Sequence, residues 1–144
     1  MKLTSNSFRT NQSIPPQYTC DGSDRSPHLA WSEIPSGTRS FAVSCLDPDA
    51  PGGGFIHWLL IDIPLSTTEI PENAGCPTGA KEIENDFGKK PYGGPCPPQG
   101  EHRYVFTVYA LKAETLEGVG RQNFLDLVKQ NMIASAELIG RYAR

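Results

Sequence analysis

Two short stretches of this chain carry residues that could do chemistry. The first is Asp47-Pro48-Asp49-Ala50-Pro51, followed by a glycine run and then His57-Trp58. The second is Gly93-Gly94-Pro95-Cys96-Pro97-Pro98-Gln99-Gly100-Glu101-His102-Arg103-Tyr104. In each, a Pro/Gly-rich loop feeds a strand whose first residue is a histidine. Proline fixes φ and pushes the preceding residue to an extended conformation, so such loops hold side chains in fixed directions.

Two imidazoles and an aspartate suit three chemistries. A catalytic zinc site needs three protein ligands and an open position. Here the ligands would come from separate strands, with no HxH or HExxH spacing, so no metal is expected. A Ser-His-Asp hydrolase needs an activated nucleophile, and the chain has no GxSxG elbow. Ser44 and Cys45 lie within a strand, as packing residues. A binding pocket asks least of the sequence. The histidines would donate to an anionic oxygen, and Asp47 would orient one imidazole or accept from a ligand amine. The N–H groups of Gly93 and Gly94 would complete an anion nest. Tyr104 shares a strand face with His102. Arg103 points the other way and is expected to brace Asp49 bidentately. The competing structural reading makes Asp47 and Asp49 caps of local turns and the histidines ordinary strand-end residues.

The elements that must position these groups are short strands. Prolines and glycines recur along the whole chain and punctuate apolar segments, the pattern of an all-β sandwich or barrel. Strands are expected near Lys2–Ser5, His28–Trp31, Ser40–Leu46, His57–Ile63 and His102–Ala110. Ser40–Leu46 alternates Phe41, Val43 and Cys45 against Ala42, Ser44 and Leu46. His57–Ile63 is almost wholly apolar, which suits a central strand buried on both faces. His102, Tyr104, Phe106 and Val108 share one face of the last strand, with Arg103, Val105, Thr107 and Tyr109 on the other. The segment 65–94 has little periodicity, and loops of that length are usually functional or poorly ordered. Phe124, Leu127 and Val128 give 122–131 a helical spacing. Periodicity leaves 133–142 open between helix and strand.

The 144 residues are expected to form one domain, 1–144, with a formal net charge of −3. That charge argues against general nucleic-acid affinity or a polybasic membrane patch. The N-terminus has no apolar signal-peptide core, and no apolar run is long enough to span a membrane. Cys20, Cys45, Cys76 and Cys96 form no CxxC. They read as free or buried thiols in a reducing cytoplasm, with a Cys20–Cys96 bridge as the alternative.

Taken together, the two motifs resemble the signature regions of the phosphatidylethanolamine-binding protein family, which includes Raf kinase inhibitor protein. Tyr18-Thr19-Cys20-Asp21-Gly22, Ser26-Pro27-His28-Leu29-Ala30-Trp31 and Tyr92 through Pro98 resemble its compact bacterial and archaeal branch. The resemblance runs from Leu3 to Tyr142. It implies a Greek-key β-sandwich of two antiparallel sheets with short peripheral helices, and a strand for 133–142. It also implies a cofactor-free, non-enzymatic pocket for phosphate or phosphoryl-ethanolamine head groups. By motif position the pocket residues would be Asp47, His57, Gly94, Pro95, His102 and Tyr104. Asp49, Pro51 and Arg103 would support them, with Ala50–Pro51 cis. A kinase or protease partner and a homodimer are further implications. Two departures from mammalian members stand out. The chain stops near Arg144, before the helix that partly covers their pocket, which implies a more open site. The short segment between Pro51 and His57 leaves Phe55 as the one aromatic rim residue. A metal-independent hydrolase using His57, His102 and Asp47, or a protease inhibitor, is the alternative function.

Overall fold

The structure, a computed structural model, describes residues Met1–Arg144. Nine strands and one helix follow in the order β1 (Lys2–Thr4), β2 (Gln12–Ser13), β3 (Leu29–Ser32), β4 (Ser40–Asp47), β5 (Phe55–Pro64), β6 (Glu69–Ile70), β7 (Lys81–Ile83), β8 (Glu101–Leu111), α1 (Phe124–Asn131) and β9 (Met132–Ala143). A single 3-10 turn covers Pro16–Tyr18. The helix is confined to 124–131, and 132–143 is a strand antiparallel to β8.

The strands form two sheets, β1-β3-β6 and β2-β9-β8-β4-β5-β7. Within the larger sheet, β4, β5 and β7 are successive antiparallel neighbours and β8 returns beside β4. The spatial order β8-β4-β5-β7 is a Greek key. One pair departs from the expected antiparallel pattern: β2 lies parallel to β9 through Gln12 and Ser13. Gly140 permits this approach, because a Cβ there would come within 2.4 Å of Ile14.

The alternation read along β4 and β8 is observed. Phe41, Val43, Cys45, Tyr104, Phe106 and Val108 turn into the main core, where they meet Leu3, Leu29, Trp31 and Ile70 of the small sheet. Ala42, Leu59, Ile61, Tyr109 and Leu111 turn to the other face, which α1 covers with Phe124 and Val128. The central strands are therefore buried on both faces, which is why β5 reads as a continuous apolar run. Truncating a ring such as Phe106 at this depth costs about 3–5 kcal/mol. That rigidity fixes the strand ends where the polar groups sit.

The strand β5 carries two irregularities. Its register against β4 shifts between Phe41 and Val43 and again between Cys45 and Leu46. At the first, Asp62 takes φ 58°, and its Oδ1 accepts from the Leu116 N–H at 2.9 Å. The second matters for the site. Cys45 pairs with Trp58 while Leu46 pairs with Ile56, which leaves His57 as the extra residue of a bulge. A bulge re-aims a side chain that regular alternation would send to the opposite face.

Candidate functional site

Asp47 ends β4, and His102 and Tyr104 lie near the start of β8 on the same face. Regular pairing of the two strands brings them together. His102 Nδ1 donates to Asp47 Oδ2 at 2.7 Å. Asp47 is 3% exposed and His102 is 8% exposed. The other carboxylate oxygen, Oδ1, accepts from the Asp49 N–H at 2.8 Å, an Asx turn set up by Pro48. Asp47 therefore does two things: one oxygen caps the turn and the other orients the imidazole.

Asp49 faces outward. It accepts from Arg103 Nη2 at 2.8 Å, Arg103 Nε at 3.0 Å and the Arg103 backbone N–H at 2.9 Å. The Arg103 guanidinium holds the Asp49 carboxyl down to about 2. This is the expected bidentate brace, and it ties the loop 47–51 to the start of β8.

His57 reaches the same cavity by another route. Alternation with Leu59 and Ile61 assigns it to the helix-covered face, and the bulge turns it to the face of Asp47 and Tyr104. Its ring meets Tyr104 edge-on, with centroids 5.2 Å apart. Its Nδ1 donates to the Gly93 carbonyl at 2.7 Å. Burial pushes the His57 imidazole below its ordinary pKa, against opposing contributions from Gly93 and from the Asp47, Asp24 and Asp86 carboxylates.

A fully buried asparagine, Asn85, holds this arm in place. Its amide donates to the His57 carbonyl at 3.2 Å and the Pro91 carbonyl at 2.8 Å. Its Oδ1 accepts from the N–H groups of Phe87 and Lys89. The turn so formed sets Phe87 edge-on to Phe55 and His57, at centroid distances of 4.8 and 5.3 Å. Gly93 packs against the Phe87 ring so closely that a Cβ would lie 2.4 Å from it and would displace the ring.

These groups surround a cavity of about 300 Å³ lined by Asp47, His57, His102 and Tyr104, with Phe55, Phe87, Pro97 and Pro98 as its apolar wall. Ala50, Pro51 and Cys96 complete the lining. The Tyr104 hydroxyl is buried and has no hydrogen-bond partner in the protein. Burial first, and then the Asp47 charge, push its ionisation far up, so it remains an O–H. The Nε2 atoms of both histidines are also without a protein partner. No group of three or more His, Cys, Asp and Glu side chains converges as metal ligands would.

Five expectations need correction. Gly93 and Gly94 form no anion nest: the Gly93 N–H donates to the His57 carbonyl, and the Gly94 N–H donates to Asp24 Oδ1 at 2.8 Å. Gly94 and Pro95 do not line the cavity. They pack behind it, where a Cβ on Gly94 would strike the Tyr18 carbonyl at 2.2 Å and the Pro95 carbonyl accepts from Cys20 N–H. The Ala50–Pro51 bond is trans, as is every peptide bond in the chain. Phe55 is not the one aromatic rim residue, since Phe87 joins it from the long 65–94 segment. Finally, Cys20 and Cys96 are not free thiols but form a disulfide, with Cys45 and Cys76 left reduced. The bridge pins the 94–100 wall to the loop after the 3-10 turn, and Arg144 rests on both sulfurs. It also removes the argument from free thiols to a reducing compartment. No helix is long and apolar enough to cross a membrane.

The fold and site together define a β-sandwich in which an Asp–His pair, a bulge-borne histidine and a tyrosine surround a cavity at one end of the larger sheet. The family model described as "Phosphatidylethanolamine-binding protein" matches residues 4–143. A UPF0098 protein of Aquifex aeolicus is 45% identical over 152 residues, covering 100% of this chain and 89% of the relative. A UPF0098 protein of Methanothermobacter thermautotrophicus is 39% identical over 150 residues, covering 100% of this chain and 99% of the relative. The crystal structure of Escherichia coli YbcL, described as a new member of the mammalian PEBP family, superposes with a TM-score of 0.94 at 38% identity, over 99% of this chain and 98% of that one. The chain belongs to the phosphatidylethanolamine-binding protein family.

Proposed function

We propose that this chain is a non-enzymatic binder of small phosphoryl anions, phosphate or a phosphoryl-ethanolamine type head group, held between His57, His102 and Tyr104. The observation that carries this reading is the pair of fixed imidazoles, one locked by Asp47 and one by the Gly93 carbonyl, beside an unpartnered buried hydroxyl. Hydrogen-bonding groups left open in a preformed cavity favour a polar ligand. The lining contains no serine, threonine or lysine, and its one cysteine is in the disulfide, so no hydroxyl or thiol of the kind used in a Ser-His-Asp or Cys-His hydrolase stands beside the imidazoles. In this proposal residues 1–144 act as one unit, paired as a homodimer, and the loaded pocket regulates a kinase or protease partner. The partner and the dimer rest on family resemblance alone.

The Asp47–His102 pair supports a second reading. A buried carboxylate behind an imidazole is also the arrangement of a general base, here one that would activate water on a phosphorylated or acyl substrate. Calorimetric titration of phosphate and O-phosphorylethanolamine into the wild type and into His102→Ala separates the two. Binding without turnover, lost in His102→Ala, supports the binder. Turnover abolished by His102→Ala replaces it with the hydrolase, and silence from both ligands removes the anion pocket.

A further inference from the structure

We infer that the cavity selects oxoanions that bring a proton with them: a singly protonated phosphate monoester is held, and a fully ionised sulfate ester of the same shape is rejected. This rests on the reading of the cavity as an oxoanion site and adds a rule for which oxoanion enters.

The rule follows from what the Nδ1 bonds do to the rings. The Gly93 carbonyl and the Asp47 carboxylate can only accept. His57 and His102 must therefore each carry a hydrogen on Nδ1. In a neutral ring that leaves a lone pair, not a proton, on each Nε2. No lysine or arginine lines the cavity. Arg103, next to His102, is engaged by Asp49, and Arg144 rests on the disulfide sulfurs and Asp21.

The surrounding charges act in two ways: they repel an incoming anion, and they partly offset the burial that keeps the His57 ring neutral. Asp47 from β4, Asp24 from the loop before β3 and Asp86 from the loop after β7 all act on His57. His102 faces Asp47, with the Asp49–Arg103 pair just outside. At His57, whose charged form burial disfavours, a bare anionic oxygen would meet a lone pair in an acidic setting. A P–O–H group instead donates to one Nε2 atom, and the Tyr104 hydroxyl donates to another oxygen of the same ligand. Supplying the proton from His57 is the costlier alternative, because burial disfavours its charged form. Phosphate monoesters have a second pKa of about 6, so they carry this proton in mild acid and can take it up near neutrality at small cost. The organic group of such an ester lies against Phe55, Phe87, Pro97 and Pro98.

Methyl phosphate and methyl sulfate test the rule. At about pH 6 much of the phosphate ester shares the shape and charge of the sulfate ester and differs by one proton. Calorimetry on the intact wild-type chain should show methyl phosphate binding at least about tenfold more tightly, because a site built to accept a hydrogen bond rejects the analogue without it. At about pH 7.5, where the monoester is mostly dianionic, binding should take up close to one proton per ligand. Titration in two buffers of different ionisation heat reads that uptake. Equal affinities at the lower pH, or heats independent of buffer at the higher, overturn the rule while leaving an oxoanion site in place. Failure of both esters to bind at either pH removes the oxoanion reading and this rule with it.

Discussion

The two histidine arms of the cavity reach similar ends by unlike means. The His102 arm is local and regular. Its strand alternates without interruption, its carboxylate partner sits at the end of the neighbouring strand, and Arg103 braces the outer side. The His57 arm is assembled from distant pieces: a bulge, a carbonyl from Gly93 and a buried Asn85 that holds the intervening turn. Periodic sheet geometry can place one imidazole at a strand end. Setting a second against it on the same face takes a break in that geometry, and the break needs support from elsewhere.

The largest difference between the arms should therefore appear on removing Asn85. Asn85→Ala leaves the Pro91 carbonyl and the Phe87 and Lys89 N–H groups without their partner and takes one of two donors from the His57 carbonyl, which keeps the Gly93 N–H. Leaving buried groups unpaired should cost about 2–4 kcal/mol, read by denaturant unfolding. Ring resonances of Phe87 and His57 should shift while those of His102 stay in place. Equal shifts in both histidines would mean that the arms are not separable.

A smaller but sharper change is expected in the other arm. Asp47 uses Oδ1 to accept from Asp49 and Oδ2 to accept from His102. In Asp47→Asn the amide keeps its oxygen toward the Asp49 N–H and turns its NH2 toward His102. The ring then accepts at Nδ1, and its hydrogen moves to Nε2. Nitrogen-15 NMR of the imidazoles should show the His102 tautomer inverted and His57 unchanged. An unaltered His102 tautomer would show that Asp47 does not set it.

The same contrast decides what the sequence reveals. The Asp47, Asp49, His102 and Arg103 geometry is legible because proline fixes the loop and a period of two fixes the strand faces. Along β5 the apolar run hides which residue is extra, since both faces are buried and no alternation marks the bulge. Asn85 and Phe87 sit in a segment without periodicity, and their role depends on long-range contacts no local signal encodes. Cys20 and Cys96 are 76 residues apart, and spacing alone leaves their pairing open. The glycines at 93 and 94 were visible as a special loop. Both glycines pack closely, Gly93 against Phe87 and Gly94 against Tyr18. The strand 132–143 needed the family resemblance, because its composition suits a helix equally well.

The pH response should also separate the arms. His57 has its folded-state pKa lowered by burial, so below its ordinary value of about 6.5 the unfolded chain binds more protons there than the folded chain does. Its contribution to stability is present above that value and is lost as pH falls through the folded-state pKa. His57→Gln should remove this part of the slope, so the unfolding curves of variant and wild type converge or cross on going from neutral to mildly acidic pH. A constant offset across that range would show that His57 titrates alike in both states.

The smallest effect belongs to the outer brace. Arg103 and Asp49 form an exposed pair, and exposed pairs contribute little to stability even when bidentate. The Arg103 backbone N–H also donates to Asp49, a bond that Arg103→Gln retains. The melting temperature of this variant at neutral pH should lie close to that of the wild type. What difference there is has a defined window. Asp49 is held at about 2 in the folded chain, below the usual carboxylate value of about 4. The stabilisation is present above the usual value and disappears as pH falls toward the lower one. Variant and wild type should thus differ by a constant small amount at higher pH and merge in strong acid. A large loss at neutral pH would instead mean that the guanidinium holds the loop 47–51 in place for Asp47, and that the His102 arm depends on remote support as the His57 arm does.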